Sequence, residues 1–195
     1  MYLKLNEKSK AALKEKRISF INEDISTSSM TRVCEEILEF VNENDTLPIS
    51  IAINCGGGSL ASSLIFNNFL KTLPADLKIN AVVTGYCASA AVVILQSCKR
   101  RLALPNSLFL IHNSTFNISV TDDGTGLDKA KIAIKTSQKI RENAIRIELQ
   151  RTGLTRKEWD LLAHDGDVAS GSTLTTETAL ELNLIDEIID SFEMF

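Results

Sequence analysis

The sequence predicts an α/β protein in which strand–helix–strand units repeat around a mostly parallel sheet. Short apolar runs alternate with longer segments whose apolar residues recur every three or four positions, as they do where strands alternate with helices. Such repeats imply right-handed crossovers between parallel strands. The length of 195 residues suits a single domain, residues 1–195, with a well-buried core.

The first strand–helix–strand unit is predicted from residues 17–54. Residues 17–21 predict a short strand, and Ser28 or Ser29 is suited to cap the helix that follows. Residues 48–54 predict a strand with isoleucines on one face. The apolar stripe of the intervening helix consists of Val33, Ile37, Leu38 and Val41.

The next units carry the most apolar segments. Residues 59–73 predict a helix, residues 79–83 a strand, and residues 90–98 a helix that is apolar on all sides and therefore buried. Two further strands are predicted at 101–104 and 108–111. The inward residues of the 59–73 helix would be Leu60, Leu64, Phe69, Leu70 and Leu73.

A long helix is predicted in the second half, at about residues 128–150. Its narrow stripe of small and medium residues fits packing either against a partner or within the core, and periodicity leaves both open. Thr155 and Glu158 form a capping box, and Asn183 stands where a helix end needs a left-handed residue. The stripe consists of Ala133, Ser137, Ile140, Ala144 and Ile147.

Composition limits the function classes. The net charge of −4 and the lack of basic clusters argue against nucleic acid and membrane surfaces as partners. The N-terminal residues have no apolar signal core. The four cysteines lack CxxC spacing and lie mainly in apolar context, so we expect reduced thiols, a cytoplasmic location and no metal site.

Ser89 is the first candidate catalytic residue. It follows a strand and leads the buried helix, where backbone amides and the helix dipole can stabilise an oxyanion. A serine that merely fills a tight helix start is the alternative. The glycines of residues 56–58 end another strand and allow close approach to a ligand. His112 follows the strand at 108–111 and is either a core histidine or the general base that a serine needs.

Five segments together resemble the proteolytic subunit of Clp protease, the ClpP family of serine peptidases. They span about residues 17–189, in order and at compatible spacing. These segments are Arg17-Ile18-Ser19-Phe20-Ile21, Ile53-Asn54-Cys55-Gly56-Gly57-Gly58-Ser59, Gly85-Tyr86-Cys87-Ala88-Ser89-Ala90, Ala103-Leu104-Pro105-Asn106-Ser107 with Ile111-His112, and Leu174-Thr175-Thr176-Glu177-Thr178-Ala179 with Leu182-Asn183-Leu184-Ile185-Asp186.

The resemblance implies the ClpP/crotonase-like α/β fold with a protruding handle helix, here in the handle region 113–150. It also implies a serine endopeptidase that acts on unfolded proteins or peptides without a cofactor or metal. Ser89 would be the nucleophile, His112 the base, and the amides of Gly58 and Ala90 the oxyanion hole. Handle helices join seven-membered rings in this family, so a homo-oligomer of stacked heptameric rings is expected.

The sequence departs from the family at the third triad member. The position of the family's aspartate falls at Gly171, which has no carboxylate. A shifted loop would let Asp167 serve instead; otherwise Asp165 and Asp167 are solvated, and the site is a Ser–His dyad or silenced. Other departures are Cys55-Gly56, Ala90-Ala91, Asn113-Ser114 and Phe116-Asn117, the last of which is expected to narrow the peptide groove.

Other interpretations remain at this stage. A non-catalytic ring subunit would assemble with an active ClpP paralogue as a scaffold. A crotonase-type acyl-CoA enzyme would share the fold and the oxyanion hole. A Ser–Lys peptidase is disfavoured because no lysine follows Ser89 until Lys99. The short segment 1–16 argues against the family's usual contact with an AAA+ ATPase.

Overall fold

The computed structural model describes residues 6–114, 126–164 and 171–191. The chain alternates strands and helices as the sequence predicts. The elements are α1 Glu7–Glu15, β1 Ile18–Ile21, α2 Thr27–Glu43, β2 Ile49–Cys55, α3 Leu60–Leu70, β3 Ile79–Ala88, α4 Ala90–Ser97, β4 Arg100–Ala103, β5 Leu108–Ile111, α5 Gly126–Thr152, α6 Arg156–Ala163, β6 Ser172–Thr175, α7 Thr176–Glu181 and β7 Glu187–Ile188.

One sheet with seven strands in the described residues organises the molecule. Its main path runs β1-β2-β3-β4-β7, and every pairing on that path is parallel. The exception is β6, which pairs antiparallel with β5. The predicted mostly parallel sheet is therefore confirmed.

Strand β3 is twice as long as predicted, and this length positions the site. Its first half pairs with β4, from Asn80 to Val83, and its second half pairs with β5, from Tyr86 to Ala88. The prediction of a strand limited to residues 79–83 was therefore wrong, because the strand continues to Ala88 and the turn is confined to Ser89. Because β5 pairs beside the end of β3, the residues that follow these two strands are neighbours.

The core lies on the central strands and on α4. All seven residues from Ala90 to Gln96 are buried, so the prediction of a helix enclosed on all sides is confirmed. Burial of such apolar side chains stabilises the fold by about 25 cal/mol per Å² removed from water. The largest fully buried side chains include Phe40, Phe66, Phe109, Ile51, Ile53 and Leu95.

Helices α2 and α3 refine two predictions. Ser26, not Ser28 or Ser29, caps α2, and Ser29 Oγ accepts a hydrogen bond from the Ser26 amide in a capping box. Leu38 is exposed rather than inward. In α3 the most buried apolar residue is Phe66, whereas Leu60 and Leu70 pack against the edge of the core.

Helix α5 changes character along its length. Its C-terminal part is anchored by the buried Ala144, Ile145 and Glu148. Its N-terminal part exposes apolar side chains, with Leu127 70% and Ile132 66% exposed. The helix thus has a buried base and an open outer half.

Arg101 ties the C-terminal segment to the sheet. Its backbone amide donates to Asp186 Oδ2 at 2.8 Å, and its guanidinium donates to Gln96 Oε1 at 2.6 Å and to the Asn183 carbonyl at 2.7 Å. Asn183 has φ 53, the left-handed conformation predicted for it. This buried network fixes β7 beside β4.

Candidate active site

Ser89 occupies a strained turn between β3 and α4. Its φ of 55 and ψ of −123 lie where non-glycine residues pay about 1–3 kcal/mol in strain. The Ser89 amide donates to the Leu110 carbonyl at 2.9 Å, and the Ser89 carbonyl accepts from Val92. Its side chain makes no capping hydrogen bond. The hydroxyl is therefore not used to cap α4 and is available for contacts in the cavity that Ser89 lines.

His112 reaches the same place from β5. The Ser89–Leu110 hydrogen bond extends the β3–β5 pairing and places His112 two residues beyond the carbonyl that Ser89 contacts. Ser89 and His112 line one cavity of about 20 Å³. The structure thus brings the two predicted catalytic side chains to a common space.

The Nδ1 atom of His112 is buried and has no hydrogen-bond partner within the described residues. Gly171, where the family's aspartate is expected, lies against the His112 backbone with φ 59. A Cβ on Gly171 would stand 2.2 Å from the Ile111 carbonyl oxygen and 2.5 Å from His112 Cβ. A side chain does not fit there without a shift of the backbone.

The glycine-rich turn after β2 packs against Ser89. A Cβ on Gly57 would stand 2.7 Å from Ser89 Cβ and 3.3 Å from the Ala90 nitrogen. Ile25 donates to the Gly57 carbonyl at 2.8 Å. In a trans peptide the next amide points the opposite way, so the Gly58 N–H faces away from Ile25. Gly58 and Ala90 stay the predicted oxyanion donors, and Gly57 provides their close approach.

Sequence reasoning missed a polar network beside His112. Asn113 Nδ2 lies 2.8 Å from His164 Nε2, and Arg141 Nη2 donates to Asn113 Oδ1. This network ties the segment after β5 to α5 and to the end of α6. Nothing in the spacing of Asn113, Arg141 and His164 indicates this meeting, because it depends on how α5 folds back.

Sequence reasoning also missed a buried carboxyl in the cavity wall. Glu148 of α5 is only 6% exposed, and its Oε2 accepts a hydrogen bond of 2.6 Å from Trp159 Nε1. Burial raises the pKa of Glu148 to about 7, although the bond from Trp159 opposes the shift. An available signal was its position four residues after Ala144, next to the predicted apolar stripe.

The cysteines near the site are poor nucleophiles. Burial raises the pKa of Cys55 and, more strongly, that of Cys87, so both are protonated thiols near neutral pH. All four cysteines are free. Ser89 is therefore the stronger candidate nucleophile at this sheet edge.

Comparison with known protein families decides the relationship. The family model described as Clp protease matches residues 4–192. The chain belongs to the Clp protease family. The ClpP-like fold expected from the sequence is confirmed, and the chain is a serine-type peptidase subunit. The inactive-paralogue alternative is not favoured over this function, and the acyl-CoA alternative gains no support.

Curated relatives of the Clp family cover most of both chains. The chain is 31% identical over 180 residues to ATP-dependent Clp protease proteolytic subunit 1 of Tropheryma whipplei strain Twist, which covers 91% of this chain and 82% of the relative. It is 29% identical to subunit 1 of Chlamydia trachomatis serovar D, with 98% and 96% covered. Subunit 1 of Streptomyces avermitilis is 26% identical, with 94% and 80% covered.

Membership in the Clp family is consistent with a homo-oligomer.

Among the helices of the described ranges, none is long and apolar enough to cross a membrane. The predicted third member Asp167, its neighbour Asp165 and the groove residues Phe116 and Asn117 lie outside the described residues.

Proposed function

We propose that the chain cleaves peptide bonds of unfolded proteins or short peptides through an acyl-enzyme on Ser89. His112 takes the Ser89 proton as the hydroxyl attacks the carbonyl and returns it to the leaving amine. The observation that carries this proposal is the cavity shared by His112 and the strained Ser89. A serine on a strained strand-to-helix turn projects its hydroxyl into the site.

The oxyanion of the tetrahedral intermediate would be held by the amides of Gly58 and Ala90. Ala90 is the first residue of α4, where amides lack intrahelical acceptors and the helix dipole favours negative charge. Removing one such donor in comparable enzymes costs about 10²–10³-fold in turnover. The fit of Gly57 against Ser89 supports this arrangement.

We propose Asp167 as the third member of the triad. The partnerless Nδ1 of His112 calls for an acceptor that orients the ring. His164 is tied to Asn113, and Gly171 lies against His112, so both residues that flank segment 165–170 are anchored beside the base. A Ser–His dyad is the alternative.

We further propose one domain over residues 1–195 that assembles as a homo-oligomer of stacked heptameric rings. Three large apolar side chains exposed on the outer half of α5, Leu127, Ile132 and Ile134, support this assembly, because an apolar cluster in water is typical of an interaction surface. A ClpP paralogue as co-subunit, a cytoplasmic location and the absence of the usual AAA+ contact remain predictions. Recovery of an AAA+ ATPase at stoichiometric levels in a pull-down would contradict the last of these.

Hydrolysis of fluorogenic peptides by the assembled protein tests the proposal. Ser89→Ala is expected to abolish turnover, whereas Ser97→Ala, at the far end of the same helix, is expected to retain it. Ser97 Oγ donates to the Val93 carbonyl within its own helix, and Ser97 serves as the matched control. Full turnover by Ser89→Ala would refute the assignment.

A further inference from the structure

The chain is attached to its surroundings on both sides of His112. On one side, the pairing of β5 with β6 ends at Ile111. On the other side, the side chain of Asn113 is 8% exposed and joins the polar network with Arg141 and His164. His112 is the one residue between these two attachments, so a displaced Asn113 shifts the proposed base.

The hydrogen bonds of this network have a fixed direction. Arg141 carries only donors and keeps its charge in proteins, and its Nη2 donates to Asn113 Oδ1. The amide nitrogen of Asn113 therefore faces His164 and donates to it. That nitrogen lies 2.8 Å from His164 Nε2 and 3.2 Å from Nδ1, so Nε2 is the nearer acceptor.

His164 completes the network only as a neutral ring. Its Nδ1 lies 2.5 Å from the Asp160 carbonyl oxygen, which can only accept, so Nδ1 carries the proton and Nε2 accepts from Asn113. A protonated His164 donates from both nitrogens and meets the Asn113 amide donor to donor. Rotation of that amide does not remove the conflict, because its nitrogen would then face the guanidinium of Arg141.

The charged groups around the network do not compensate a positive charge on His164. The two carboxylates there are already paired with Arg156, at 2.6 Å for Glu142 and 3.0 Å for Asp160. Arg141 has the same sign of charge as a protonated His164. The titratable and charged groups that the described residues place here are Arg141 and Glu142 of α5, Arg156 and Asp160 of α6, and His112 after β5.

We propose that His164 is a positioning residue whose protonation displaces Asn113 and, with it, His112. Peptidase activity then requires two neutral histidines, the proposed base and His164. The inference rests on the proposed peptidase function of Ser89 and deepens it by adding regulation of the same site. Histidine is the side chain that changes charge between pH 5 and 8, so acidification lowers activity through both rings.

The pH profile of kcat/KM in the assembled, full-length protein tests this role. With fluorogenic peptides, log kcat/KM on the acid side should rise with a limiting slope of about two per pH unit, one for each proton lost. In His164→Gln the slope should fall to about one, because glutamine accepts from Asn113, donates to the Asp160 carbonyl and does not titrate. Equal slopes in the unmodified protein and in His164→Gln overturn the proposal.

Lys157→Gln is the matched control for this profile. Lys157 is exposed on α6, the helix that ends next to His164, and its side chain takes no part in the network. Its substitution should leave the slope at about two. A slope that falls in Lys157→Gln as it does in His164→Gln would show a general effect of α6 and overturn the assignment to His164.

A permanently charged side chain gives a second test. His164→Lys donates but cannot accept, so it should lower kcat at least about tenfold across the pH range through misplacement of the base. Adding Asn113→Asp should recover most of this loss, because the carboxylate accepts from both Arg141 and the introduced ammonium. Full activity of His164→Lys, or no recovery in a double variant with an unchanged urea midpoint, contradicts the proposal.

The proposed function and this inference fail differently. Loss of cleavage of every peptide at every pH, together with no reaction of Ser89 with a serine-directed probe, refutes the peptidase function and the inference with it. Cleavage that requires Ser89 but has the same acid limb with and without His164 refutes only the inference.

Discussion

Gly171 lies directly against His112, so that a Cβ on Gly171 would stand 2.5 Å from His112 Cβ. The resemblance to the family predicts, at this position, the carboxylate that orients the histidine. Here the backbone itself occupies the space, and His112 Nδ1 is without a partner in the described residues. The missing carboxylate therefore goes with a changed backbone position. The Gly171 backbone lies too close to His112 and Ile111 for an aspartate side chain to fit.

Restoring the family's aspartate at this position is expected to fail. Gly171→Asp should lower peptidase activity at least tenfold rather than raise it, since its Cβ would stand 2.2 Å from the Ile111 carbonyl. Gly153→Ala is the control, because φ is also positive there but nothing lies within 4 Å. It should cost about 1–2 kcal/mol in stability and leave activity intact. Increased activity of Gly171→Asp would contradict the contact described.

Asp167 is expected to matter more than its neighbour Asp165. Asp167→Ala should lower kcat by up to about 10⁴-fold, the cost of spoiling the aspartate in serine triads. Asp165→Ala should retain most activity. Steady-state kinetics of both variants tests the shifted triad, and full activity of Asp167→Ala would show that Asp167 is not its third member.

Glu148 should give the protein an unusual pH dependence of stability. Its pKa of about 7 lies above the ordinary 4.5, so between these values the folded chain holds a proton that the unfolded chain has lost. The stability that protonated Glu148 contributes is fully present below pH 4.5 and is lost as the pH rises through 7. The free energy of unfolding falls by about 3 kcal/mol in total over this range. Urea unfolding of Glu148→Gln should show a flatter profile from pH 5 to 7, whereas Glu142→Gln should not.

Two adjacent arginines should differ sharply in their effect on stability. Arg101 is buried and bonded to Asp186, Gln96 and Asn183, whereas Arg100 forms an exposed pair with Glu187. Arg101→Ala leaves buried acceptors unpaired and should cost about 3 kcal/mol. Arg100→Ala should cost under about 1 kcal/mol. Equal shifts in the urea midpoint would contradict the role of the Arg101 network.

The element order could be predicted because the chain's periodicity is local. The strand at 108–111 and the capping box of Thr155 with Glu158 were predicted as found, since each depends on a few adjacent residues. The second half of β3 was missed because Gly85 and Ser89 have turn character. Pairing with β5 and the bond from Tyr86 N to Asn54 Oδ1 hold that segment extended.

The candidate site was only partly predictable. Ser89 and His112 stand out as polar residues that follow apolar runs. Arg141 and Glu148 do not, because their place in the cavity depends on how the base of α5 packs onto α4 and α6. A charged residue on a long, polar helix normally indicates a solvated face, and only tertiary structure shows that Glu148 is buried.

The reaction of the assembled protein with a fluorophosphonate probe tests the central claim most directly. We expect covalent modification of Ser89, located by peptide mapping, at a rate that falls at least about a hundredfold in His112→Ala. An intact oligomer in which Ser89 remains unmodified, or in which the cavity's other serine, Ser114, reacts instead, would contradict it.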